Sequence, residues 1–211
     1  MIAASLAVPY ALLWWLVASE WGPLMRFDQN VVESWHSAVV DAGQLDFWNF
    51  VAKASSPNFV RIFLVGVAVY FIVRREVWTA LWLVAIALLT GPVNHLAKGL
   101  VERPRPDIPD QISGYSFPSG HAMTIATAMS ALIVLTVLRV RRRRLRYALV
   151  GLWVLAALVV GLDRIFVAAH FPSDVVGGYL LGALLMFAVG ILLGVIDSTP
   201  RRERPVAPNP S

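Results

Sequence analysis

Three short stretches of this chain carry residue types from which anion and proton-transfer chemistry is built. The first runs Lys98-Gly-Leu-Val-Glu-Arg-Pro-Arg105-Pro106, the second is Pro118-Ser119-Gly120-His121, and the third spans Arg164, His170 and Asp174. Lys98, Arg105 and Arg164 are three cations with no matching cluster of carboxylates, so they require an anion. Arginine's planar fork suits phosphate oxygens in particular. Ser119-Gly120 reads as the opening of a helix, where unpaired backbone N–H groups favour an anion, and glycine lets the backbone approach it closely. Taken alone, Pro-Ser-Gly is an ordinary turn and helix N-cap. Its company, His121 and three cations, points to binding.

His121 and His170 are suited to proton and phosphoryl transfer, because histidine serves as nucleophile or acid/base near neutral pH. Asp174, four residues after His170, can reach one imidazole nitrogen and fix the tautomer. The other nitrogen is then free to attack, as in a triad. His36 and His95 read as hydrogen-bonded interfacial residues, His95 lying one turn before Lys98. A metal held by His121, His170 and Asp174 is the competing chemistry, since two histidines and a carboxylate form an acceptable ligand set. Three surrounding cations repel a divalent ion, so neither metal nor cofactor is expected.

The elements that must hold these residues are set by composition. The chain has 211 residues, 58% hydrophobic and 15% charged, with a mean hydropathy of +0.67. Soluble domains are about 45–50% apolar and about 25% charged. These values exclude a soluble domain, a disordered chain, collagen and a coiled coil. The absence of cysteine excludes disulfides, thiolate zinc sites and a cysteine nucleophile.

Apolar runs near or above the roughly 18 residues of a spanning helix fall at about 2–19, 58–73, 78–97, 121–138, 147–167 and 174–196. The expected fold is all-α: a polytopic membrane bundle of six transmembrane helices, one domain over 1–200, with a disordered tail over 201–211. The second run is short, and Arg61 lies one turn inside it, close enough to snorkel to the interface. Between the first two spans, Val31, Val32, Trp35, Val39 and Val40 recur at helical spacing, with Asp28, Glu33 and His36 among them. This pattern predicts an amphipathic interfacial helix, with Trp14, Trp15, Trp21, Trp35 and Trp48 as an aromatic belt on that side.

The net charge of +5 comes largely from Arg139, Arg141 to Arg144 and Arg146, between two spans. A nucleic-acid partner is not indicated, for want of interleaved exposed aromatics and a soluble domain to present them. Basic residues beside spans mark the cytoplasmic side. Six spans put that loop on the same face as Arg74, Arg75, Arg201, Arg202, Arg204 and both termini. The three polar stretches then lie on the extracytoplasmic face of a bacterial-type plasma membrane.

These stretches resemble the three signature motifs of the type-2 phosphatidic acid phosphatase superfamily, K-x6-R-P, P-S-G-H and S-R-x5-H-x3-D. Here they read Lys98…Arg105-Pro106, Pro118-Ser119-Gly120-His121 and Asp163-Arg164…His170…Asp174. Order, spacing and span layout match over about residues 55–196, and the first span and its loop fit more loosely. The resemblance implies metal-independent hydrolysis of a membrane lipid phosphate or diphosphate through a phosphohistidine. It implies His170 as nucleophile, Asp174 as its orienting partner and His121 as the acid at the leaving oxygen. Lys98, Arg105 and Arg164 hold the phosphoryl oxygens, and Ser119 and the Gly120 amide complete the cradle.

One position departs: Asp163 stands where the family has serine. A carboxylate beside phosphate is repulsive, so Asp163 is expected to pair with a cation of the site. The substrate is amphiphilic, and other membrane lipids are the remaining partners. Polyprenyl diphosphate ranks first, and phosphatidylglycerophosphate or phosphatidate second. A lipid phosphotransferase using the same site and a non-catalytic lipid-phosphate binder or transporter are the alternatives.

Overall fold

The computed structural model describes residues 2–107 and 113–196, and the tail expected over 201–211 lies outside them. The described residues form eight helices and no strand: α1 (Ile2–Ala18), α2 (Gly22–Asp41), α3 (Leu45–Ala54), α4 (Pro57–Val73), α5 (Val77–Gly99), α6 (Gly120–Arg139), α7 (Arg143–Phe166) and α8 (Pro172–Leu192). In lipid every backbone N–H and C=O must be satisfied within the segment, and a helix does this. The starts follow local chemistry. Pro57 and Pro172 occupy first-turn positions, where the missing N–H has no intrahelical partner to lose. Ser119 caps α6, its hydroxyl accepting from the Ala122 N–H at 3.5 Å.

α5, α6, α7 and α8 are long and apolar enough to cross a membrane, and α3 and α4, bent by 41° at their junction, pass the same test as one pair. That makes four to five candidate spans. α1 and α4 have 17 residues each, about 25 Å of helix against a hydrocarbon core of about 30 Å. Two boundaries differ from the sequence expectation. The segment between the first two spans folds as two helices, α2 and α3, where one was expected. α7 begins at Arg143, because arginine is a good helix former; Arg143, Arg144 and Arg146 therefore belong to its first turns. Arg61 does more than snorkel: its Nε donates to Thr90 Oγ1 at 3.1 Å, tying α4 to α5.

α6 is the most enclosed helix, buried at most positions from Ala122 to Thr136, and it packs against α8, α7, α5 and α4. Without a hydrophobic drive between helices in lipid, close packing relies on small residues at the contact. Gly178 of α8 provides it. A Cβ there would lie 2.7 Å from the Ser119 carbonyl oxygen and 2.9 Å from Ala122 Cβ. This contact sets the start of α6 directly on the start of α8. Gly178→Val is expected to destabilise the protein by about 1–3 kcal/mol of overpacking. Thermal unfolding in detergent should show the midpoint falling about 2–4 °C per kcal/mol, and an unchanged midpoint would contradict this packing.

Candidate active site

The C-terminal end of α5, residues 100–107 and 113–119, the start of α6, the end of α7 and the start of α8 meet at one end of the bundle. α7 ends at Phe166, and the chain turns through Ala168 at φ +48°, a left-handed conformation uncommon for a residue with a Cβ. The Ala169 and His170 N–H groups then donate to the Arg164 carbonyl at 3.0 and 3.1 Å. This hook carries His170 under the first turn of α8. Asp174 caps that helix, its Oδ2 accepting from the Phe171 N–H at 3.0 Å.

The same Oδ2 faces His170 Nδ1 at 3.4 Å, and Asp174 is wholly buried. With the proton on Nδ1, the lone pair sits on Nε2, which lies 3.3 Å from Arg105 Nη1. Burial pushes the His170 imidazole down to about 4; hydrogen bonding and charge from Asp174 oppose this, and Arg105 and Lys98 add to it. At neutral pH the ring is therefore uncharged and nucleophilic.

The cations are held in two ways. Arg105 donates from Nη1 to the Ala169 carbonyl at 2.7 Å and from Nε to the Gly114 carbonyl at 3.1 Å. Lys98 Nζ donates to the Tyr115 and Ser116 carbonyls. Neutral carbonyls aim these side chains without cancelling their charge. Arg164 is different: Asp163 Oδ2 accepts from both its Nε, at 2.8 Å, and its Nη2. The expected pairing of Asp163 is thus present, and the other oxygen, Oδ1, is buried without a hydrogen-bond partner.

His121 opens α6 with its ring half-buried, hydrogen-bonded to the Ala52 backbone on α3 and within electrostatic reach of Arg164, His170 and Arg105. Ser119 N–H donates to the Asp174 carbonyl at 2.9 Å, joining the starts of α6 and α8. Gly120 lies against Asn94, whose Nδ2 donates to the Pro118 carbonyl at 3.1 Å. All eight residues singled out from sequence therefore stand together. His36 is hydrogen-bonded as expected, Nδ1 donating to the Phe166 carbonyl at 2.8 Å, while His95 is exposed on α5. Trp35 and Trp48 pack in tilted contacts on Phe166, with ring centres 5.7 and 4.6 Å away, so these two members of the expected belt clamp the end of α7.

Two residues of this centre had no role in the sequence reading. Arg103 donates from Nη1 to Asp174 Oδ1 at 2.7 Å and from Nη2 to Asp28 Oδ2 at 2.7 Å, with its guanidinium 4.2 Å from the centre of the Phe171 ring. Asp28, from α2, accepts the Ser173 N–H at Oδ1, 3.0 Å away. The available signal was periodicity: Asp28, Val32 and Val39 are the buried positions of α2.

A helical membrane bundle with two histidines, a buried carboxylate and three cations gathered at one end defines a membrane protein built to handle phosphate. The model of the PAP2 superfamily matches residues 76–194, and the chain belongs to that superfamily. It is 31% identical over 142 residues to phosphatidylglycerophosphatase B of Bacillus subtilis, covering 64% of this chain and 68% of that one. It is 34% identical over 139 residues to decaprenylphosphoryl-5-phosphoribose phosphatase of Mycobacterium tuberculosis, covering 62% and 67%. The crystal structure of a transmembrane PAP2 type phosphatidylglycerolphosphate phosphatase from Bacillus subtilis superposes with a TM-score of 0.79 at 21% identity, covering 94% of this chain and 98% of that one.

The His170 environment is directly measurable. In a nitrogen-15 NMR titration in detergent, its imidazole should stay neutral, protonated on Nδ1, from pH 8 down to pH 5.5, and gain charge only on approach to about 4. A midpoint near the ordinary histidine value of about 6.5 would contradict the buried geometry.

Proposed function

We propose that this protein is a metal-independent phosphatase that hydrolyses the phosphate of a membrane lipid through a phosphohistidine on His170. The observation that carries this reading is the direction of the imidazole, with Nδ1 toward Asp174 and Nε2 beside the Arg105 guanidinium. Nε2 attacks phosphorus, the bond to the lipid oxygen breaks, and His121 protonates that oxygen. Water then attacks the phosphohistidine while neutral His121 takes its proton; the P–N bond breaks and phosphate leaves. Lys98, Arg105 and Arg164 hold the non-bridging oxygens, and the Ser119 hydroxyl and Gly120 amide complete the cradle. Phosphoryl transfer depends on such positioning and charge neutralisation. The donor set does not suit a metal, because both oxygens of Asp174 are already engaged, one by Arg103 and the other by His170 and the Phe171 N–H.

The substrate class follows from the cradle's charge. Asp163 offsets Arg164, and among the described residues Lys98 and Arg105 have no ion-pair partner of their own, a match for a phosphate monoester dianion. That balance reverses the sequence-based ranking: a lipid phosphate monoester such as phosphatidylglycerophosphate comes first, and polyprenyl diphosphate second. The name of the Bacillus subtilis relative, phosphatidylglycerophosphatase B, supports the same order.

The membrane arrangement we infer has α1, the α3–α4 pair and α5 to α8 as six crossing segments, with α2 in the outer interface. Arg74, Arg75, Arg139, Arg141 to Arg144 and Arg146 lie at the end opposite the site. By the positive-inside rule that end and both termini are cytoplasmic, and the site faces outward from a bacterial-type plasma membrane.

His170→Ala is expected to abolish phosphate release from phosphatidylglycerophosphate, and His121→Ala to slow it by about 10²–10⁴. Labelled phosphate should be retained on His121→Ala protein and absent from His170→Ala protein, with wild-type activity surviving EDTA. Substantial turnover by His170→Ala, or a divalent-ion requirement, would overturn the mechanism. For sidedness, a cysteine replacing Ser113 should react with a membrane-impermeant thiol reagent in intact cells, and one replacing Arg142 should not; the opposite pattern reverses the orientation.

A further inference from the structure

Behind His170 lies a carboxylate with no place in the chemistry above. Asp28 is wholly buried, stands on α2, and falls outside residues 76–194 matched by the family model. Its Oδ1 takes the Ser173 N–H at 3.0 Å, while its Oδ2 takes the Ser173 hydroxyl and Arg103 Nη2, the latter at 2.7 Å. Arg103 Nη1 in turn lies 2.7 Å from both Ser173 Oγ and Asp174 Oδ1. Asp174 Oδ2 is thereby left to His170 Nδ1 and the Phe171 N–H. Four side chains form one line: Asp28, Arg103, Asp174, His170.

We propose that Asp28 is a positioning residue for His170, holding Arg103 to a single oxygen of Asp174 so that the other oxygen fixes the imidazole. The proposal rests on the reading of His170 as nucleophile. Two physical effects carry it. An arginine facing one carboxylate alone prefers to grip both oxygens with its fork; Asp28 and Ser173 occupy that fork, so Oδ2 stays free for Nδ1. Arg103 also divides its charge between two carboxylates. Asp174 therefore keeps enough negative charge to stabilise the cationic ring that forms when Nε2 carries the phosphoryl group. Losing either effect leaves His170 able to adopt the wrong tautomer, a severe defect in a triad.

A mere strut would act differently. α2 is also docked by Val32 and Val39 and by His36, which holds the Phe166 carbonyl at the other end of the same loop without touching the Asp28–Arg103–Asp174 line. His36→Gln is therefore the matched control. The test is rapid-quench measurement of labelled phosphate transfer to His170 from phosphatidylglycerophosphate in detergent micelles. Asp28→Asn keeps the size of the side chain and removes its charge. It should slow transfer at saturating substrate by about 10²-fold, the scale of a small misplacement of a reacting group, with KM little changed. His36→Gln should retain a rate near that of the wild type.

Labelling of Asp28→Asn at the wild-type rate, or an equal loss in His36→Gln, would overturn the proposal. Should Asp28→Asn fail to fold, Arg103→Lys carries the same test, since it keeps the charge and loses only the fork; a wild-type rate there would also refute the idea. A wild-type protein that never acquires label on His170 fails differently, at the nucleophile assignment itself.

Discussion

Asp174 is wholly buried at the first turn of α8, and a carboxylate removed from water costs several kcal/mol unless paired and hydrogen-bonded. The architecture around the site answers that constraint. Arg103 supplies the counter-charge, the Phe171 N–H and His170 Nδ1 supply hydrogen bonds, and the positive end of the helix favours an acidic residue in its first turn. Because Arg103 comes from the segment between α5 and α6, that segment must fold back over α8. Because Arg103 has a second arm, α2 must bring Asp28 to it. The turn at Ala168, the Gly178 contact and the Ser119–Asp174 bond then hold the starts of α6 and α8 side by side.

The cations follow a related logic at the rim of a low-dielectric bundle. Carbonyl oxygens hold Lys98 and Arg105 in direction without cancelling their charge. Arg164 lies deeper, 3% exposed, where an uncompensated guanidinium would be costly, and Asp163 beside it offsets the charge. A serine at that position would leave Arg164 without this counter-charge. Asp163 thus has a definite electrostatic meaning: it lowers the net charge around Arg164 by one.

Most of the centre was legible in the sequence because its residues sit in short, chemically dense stretches at the ends of apolar runs. Lys98, Arg105, His121, Arg164, His170 and Asp174 announce themselves as ionisable groups beside membrane spans. Helix existence was legible for the same reason. Arg103 was hidden by its neighbours: in Arg-Pro-Arg-Pro nothing local tells which arginine faces substrate and which faces a carboxylate. Asp28 was harder still, since its partners lie far away in the chain and an acidic residue on an amphipathic helix ordinarily faces water. Its spacing with Val32 and Val39 was the trace of its burial. α3 escaped notice because its ten residues are too few for a hydrophobic period to separate from the apolar run that follows.

The bond between Asp28 and Ser173 spans 145 residues of sequence, and this has a temporal side. A ribosome extending a chain by about 5–20 residues per second makes Ser173 roughly 7–29 s after Asp28. Through that interval the acidic residue has emerged without the hydroxyl and backbone N–H that later receive it. Only when the eighth helix enters the membrane do Asp28, Arg103 and Asp174 coexist in one molecule. A chain that stops before α8 therefore leaves Asp28 without Ser173 and Arg103 without Asp174.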